Sequence, residues 1–98
     1  MINVQQTDQK AIFSGALTRA TITRTFDKQF RPLVNGKSMT IDLAKVNQID
    51  TAGLAWILLL IELAATKACE ITLINLPDDL IKLAKLSAVD TLLPTEKN

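Results

Sequence analysis

The chain has 98 residues, 48% of them hydrophobic, with eleven basic against ten acidic side chains and a formal charge of +1. That length fits one modest domain, and that hydrophobicity excludes wholesale disorder. The near-neutral balance leaves no clustered positive charge for nucleic acid or an anionic lipid surface.

Taken in order, residues 2–6 and 11–17 read as two short strands joined by the polar turn Thr7-Asp8-Gln9-Lys10, a hairpin. Thr18 or Thr21 is placed to cap a helix, in which Ile22, Phe26, Phe30 and Leu33 recur at spacings of four, four and three. Asn35-Gly36 ends it, because that pair tolerates a left-handed backbone. The same region holds Arg19, Arg24, Lys28, Arg31 and Lys37 with only Asp27 opposing, which reads as the solvated face of a helix ahead of a docking patch.

Met39, Ile41 and Leu43 alternate with Thr40 and Asp42, marking a strand over residues 38–43, and a polar loop follows. Asp50-Thr51-Ala52-Gly53 then opens a helix over residues 51–68 that is apolar nearly all round. Residues 70–75 form another strand, and Pro77 opens a last helix with Asp78 and Asp79 in its first turn. Its inner stripe is Leu80, Ile81, Leu83, Ala84 and Leu86, while Lys82 and Lys85 face water. The series predicts a single α/β domain over residues 1–98, a mixed sheet of about four strands with helices packed on it.

An all-round apolar helix in a small domain must bury more than one face. At about 100° per residue, Leu54, Ile57, Ile61, Ala64, Ala65 and Ala68 share the face expected to meet the sheet. Thr51, Ala55, Glu62 and Thr66 make a narrow polar strip, and Ala52, Trp56, Leu59 and Leu63 lie roughly opposite the core face. The second apolar flank is expected to remain open to another polypeptide, with Trp56 as an anchor; the alternative cover is the first helix or the tail around Leu92 and Leu93.

Catalytic and metal chemistry find little here. The chain lacks histidine, so triads that depend on it are absent. Its three glycines are scattered rather than gathered into a phosphate loop. A lone cysteine, Cys69, cannot form an internal disulfide and reads as a small buried hydrophobe. The charge-free apolar run at residues 52–61 is too short to span a bilayer, which takes about 20 residues, and the start lacks the pattern of a secretory leader. The expectation is a non-catalytic, cytoplasmic protein without cofactor or metal, binding neither nucleic acid nor the membrane interior.

Asp42-Leu43 in the strand, Val46, and Ile49-Asp50-Thr51-Ala52-Gly53-Leu54 entering an apolar helix resemble the signature of STAS domains, the fold of anti-sigma-factor antagonists. The order of elements extends that resemblance over nearly the whole chain. Asp50-Thr51-Ala52-Gly53-Leu54-Ala55, the segment from Leu60 to Ala64, Leu83-Ala84-Lys85-Leu86 and Leu92-Leu93-Pro94 are similar to the MlaB branch of that family. The departures are Ala44, where serine is common, and Ala52, where glycine is frequent.

The MlaB resemblance implies a small subunit bound to the ATPase of an ABC transporter for phospholipids, and through it to the membrane permease. The wider resemblance implies instead an antagonist that captures an anti-sigma kinase, with Thr51 as the phosphate acceptor. Under either, the partner-binding residues are Asp50, Thr51, Ala52, Gly53, Ala55, Trp56, Leu59 and Leu63. Read without the family, the Thr51 hydroxyl is placed to cap the helix or meet a partner, beside orphan N–H groups that favour an anion. Gly53 permits a close backbone approach, and Asp50 is placed to cap donors or pair with a cation.

Overall fold

In the computed structural model, which describes residues 2–7 and 9–95, β1 (Ile2–Gln6) and β2 (Lys10–Leu17) form the expected antiparallel hairpin, with Val4 opposite Phe13. The Thr7 N–H donates to the Lys10 carbonyl at 2.8 Å and closes the turn; Asp8 of that turn lies outside the described residues.

The first helix starts later than either threonine suggests. Thr21 is occupied in the preceding turn, where its hydroxyl accepts from the Thr18 N–H at 3.0 Å and donates to the Ala16 carbonyl at 2.8 Å. Thr23 caps instead, accepting from the Phe26 N–H at 3.1 Å, and α1 runs Arg24–Phe30 before a 3-10 turn, Arg31–Leu33. Ile22 is therefore outside the helix. Gly36, at φ +77°, supplies the left-handed residue in the connection to the next strand.

β3 (Ser38–Ile49) is twice the expected length, and the supposed polar loop is its second half. Against β2 its register slips twice, from Ile12 opposite Asp42 to Ser14 opposite Lys45, and from Gly15 opposite Val46 to Ala16 opposite Gln48. Each slip inserts a residue. Val46 and Ile49 are consequently both buried although three apart, so the two-residue rhythm that marks a strand in sequence disappears.

α2 (Thr51–Thr66), β4 (Glu70–Ile74) and α3 (Asp78–Leu86) complete the order. The strands lie β1-β2-β3-β4, with β2–β3 and β3–β4 parallel. Both parallel crossovers advance in one direction, and the shared right hand of such connections carries α1 and α2 to one face. That face holds the core: Phe13, Ile41, Leu43 and Leu73 point into it and are fully buried. The alternate residues Ile12, Thr40, Asp42 and Thr72 are only half-buried on the other side.

Pro77 caps α3, whose first turn carries Asp78 and Asp79 as expected. Leu80 and Ala84 are buried, but Leu86 is 85% exposed. Six residues at about 100° each leave it about 120° round the helix from Leu80, outside the buried stripe. Beyond α3, Thr95 bridges Leu73 in parallel, and Leu93 is buried beside α3 while Leu92 stays exposed.

Candidate partner-binding surface

Asp50 begins the site. As the cap of α2 it accepts from the Gly53 N–H at 3.1 Å and, across the fold, from the Arg19 N–H at 3.0 Å. The Arg19 bond, helped by those at the helix start, outweighs partial burial and holds this carboxyl below its usual range. Asp50 thus fastens α2 to the end of β2, and its charge is directed inward rather than at a partner.

Gly53 proves to serve the same joint. A Cβ here would collide with the Leu17 carbonyl oxygen and come within 2.8 Å of an Ile49 side-chain carbon. The close backbone approach expected at Gly53 exists, but the neighbour is the chain's own β2. Gly53 is buried and leaves the partner-binding set.

Capping by Asp50 releases Thr51. It is the first residue of α2, it is exposed, and its hydroxyl makes no hydrogen bond among the described residues. The capping role read for it from sequence is thereby corrected.

Trp56 is the largest correction. The wheel puts it on the open flank, yet it is only 4% exposed. Its ring tilts against Phe26 of α1 at 4.8 Å and Phe13 of β2 at 5.9 Å. Its indole N–H donates to Asp27 at 2.9 Å, and Arg31 grips the same carboxylate through two bonds of 2.6 and 3.2 Å. That arginine pair, with the indole bond, keeps the Asp27 carboxyl below its ordinary range. The cover over this flank is α1, and Trp56 is an internal anchor.

What stays accessible is a narrower strip. Thr51, Ala55, Leu59, Glu62 and Thr66 are exposed, with Ala52 and Leu63 half-buried along one edge. On the opposite side the core takes Leu54, Ile57, Leu60 and Ala64, while Ile61 is half-buried, Ala65 is exposed, and Ala68, also exposed, lies beyond the end of α2. The face expected to meet the sheet is therefore rotated toward Leu60.

Alongside the strip, α1 and α2 frame a groove of about 360 Å³ lined by Asp27, Lys28, Arg31, Pro32, Leu63 and Lys67. A smaller hollow of about 130 Å³ adjoins it at Arg31 and Leu63 and reaches Leu59, Glu62 and Thr66. Of the basic run, Arg24 and Lys28 lie on α1 and Arg31 in the 3-10 turn, and Lys28 and Arg31 border the exposed strip, which the run by itself does not indicate. The available signal was the spacing of Asp27 and Arg31, four apart, within that run.

Elsewhere, burial of the Asp42 carboxylate is outweighed by bonds from the Ala44 N–H (2.9 Å) and the Asn75 amide (3.0 Å), so it too titrates below its usual range. It braces the middle of β3 and does not reach the strip. Among the described residues, no group of three His, Cys, Asp or Glu is placed to hold a metal ion, and no helix is long and apolar enough to cross a membrane.

A one-sided four-stranded mixed sheet, with a capped helix presenting a free hydroxyl at its tip, is the architecture of a STAS domain. The solved structure of the anti-sigma factor antagonist SpoIIAA in its unphosphorylated form is similar, with a TM-score of 0.72 over 100% of this chain and 90% of that one, at 10% sequence identity. At that identity the likeness carries the fold alone. The sequence matches the family described as "Mlab, STAS domain" over residues 2–94, and the chain belongs to that family. No curated protein sequence matches it.

Proposed function

We propose that the chain is a non-catalytic accessory subunit that binds the ATPase of an ABC transporter moving phospholipids, and so helps to maintain outer-membrane lipid asymmetry. The observation that carries the reading is the open strip at Thr51, Ala52, Ala55, Leu59 and Leu63 in a chain of the MlaB family. An exposed leucine beside small residues on a rigid helix is a surface on which another backbone can lie closely. ATP and its magnesium ion belong to the partner. The subunit sits in the cytoplasm and reaches the inner membrane only through that partner and its permease.

Purification of the tagged chain from its host in mild detergent tests this, with a transporter ATPase as the expected companion. Thr51→Glu places a bulky negative group in the contact yet suits the positive end of the helix. Capture of the ATPase should fall at least about tenfold, a loss of about 1.4 kcal/mol, with an unchanged circular dichroism spectrum. Full retention of binding by this variant would refute the assignment of the surface.

A second reading draws on the likeness to SpoIIAA and on the unbonded Thr51 hydroxyl: an anti-sigma-factor antagonist switched by phosphorylation. A phosphate on Thr51 would add roughly −1.5 to −2 charges at the edge of the contact and expel a docked kinase. Recovery of a small soluble kinase, together with phosphate on Thr51 in cells, would favour it over the transporter.

A further inference from the structure

The groove beside the strip carries a charge pattern that describes its occupant. Arg31 is paired with Asp27, whose second claim is the Trp56 indole. Among the described residues, Lys28 and Lys67 have no carboxylate within ion-pairing distance, although both line the groove. Glu62 stands in the adjoining hollow, across Leu59 and Leu63 from them. The groove and the hollow thus meet at Leu63 and the Asp27-paired Arg31, with Lys28 and Lys67 on the groove side and Leu59 and Glu62 on the other.

We propose that this groove seats a helix of the partner protein, one with an apolar ridge on Leu59 and Leu63 and carboxylates toward Lys28 and Lys67. The inference rests on the docking reading above and adds the partner's chemistry to it. Leu59 and Leu63, four apart on α2, offer the spacing into which anchors of an amphipathic helix fit. Two ammonium groups interrupted by Asp27 and Glu62 are too few for a lipid surface, which calls for four to eight clustered cations. Glu62 also fixes the direction across the groove, because a partner carboxylate on its side would be repelled.

The test joins two cross-links. A benzophenone side chain at position 55 traps whatever lies on the open strip, irrespective of charge. A carbodiimide in the same mild-detergent extract then couples lysine amines to touching carboxylates. The expected result is an amide from Lys28 or Lys67 to an acidic residue of the protein trapped at position 55, in a segment with apolar residues three or four positions away.

The double variant Lys28→Glu/Lys67→Glu should lower capture at least about tenfold while the emission of Trp56, the only tryptophan, stays as in the parent. A partner trapped at position 55 but unlinked to either lysine, and captured undiminished by the double variant, overturns this inference and leaves the docking reading standing. Nothing trapped at position 55 defeats both. Amides joining two copies of the chain, or binding to anionic vesicles lost in the double variant, would assign the groove to self-association or to lipid headgroups and also overturn it.

Discussion

The two long flanks of α2 both carry leucine and have opposite fates. One, centred on Trp56, is roofed by α1; the other, from Thr51 through Ala55 and Leu59, is left to solvent. A leucine alone does not decide the outcome, since Leu59 stays exposed while Leu63 is half-buried. A roof forms where an aromatic pair and a hydrogen bond to Asp27 can hold it. The other flank starts with small and polar residues that give a covering helix little to grip.

The contrast is easiest to break at Trp56. Trp56→Ala removes the ring beneath α1 and the indole bond to Asp27, which Arg31 still holds, so a loss of about 3–5 kcal/mol is expected, chiefly from lost packing. That is much of the 5–15 kcal/mol typical of a domain, and urea denaturation would register it. A stable, cooperatively folding variant would mean that α1 is not the roof described.

Gly53→Ala comes next. The added methyl drives into the Leu17 carbonyl, which belongs to backbone and cannot swing aside. About 1–3 kcal/mol should be lost, again measurable by denaturation, with partner binding reduced only as far as folding is.

Asp50 sharpens the comparison through pH. Its folded carboxyl is held below the ordinary value, as are those of Asp27 and Asp42. Groups so shifted stabilise the fold fully above the ordinary carboxylate pKa of about 4, and that stabilisation is lost as pH falls through the folded values. Stability should be level near neutrality and decline below about pH 4. Asp50→Asn should make the decline shallower, and an unaltered acid limb would contradict the cap.

The smallest effect on folding belongs to the open flank. Leu59→Ser should alter stability by no more than about 0.5 kcal/mol while clearly weakening capture of the proposed partner. A large destabilisation would place Leu59 with the roofed flank instead.

Much of this arrangement was legible beforehand. Alternation exposed the hairpin and the first half of β3, and the Asp50-to-Gly53 run located the start of α2 to the residue. Three things were hidden, each for a physical reason. The bulges in β3 erased its period, so Val46 and Ile49 looked like loop residues. A helical wheel orders side chains by angle but is silent on which neighbouring element lies over them, so it cannot show that α1 covers Trp56. The roles of Asp50 and Gly53 depend on Arg19 and Leu17, more than thirty positions away, and local spacing cannot report such contacts.

The pairing pattern also implies an order of assembly. β1 and β2 meet across a tight turn, whereas β2 must find β3 in parallel from far along the chain, Lys10 beside Thr40 and Leu17 beside Ile49. Closing such a long loop costs entropy before any inner contact repays it. During synthesis the first two strands can pair early, but the outer edge of β2 waits unpaired until Ile49 has left the ribosome. Slowing translation ahead of β3 would thus prolong the interval in which that edge is open to a wrong neighbour.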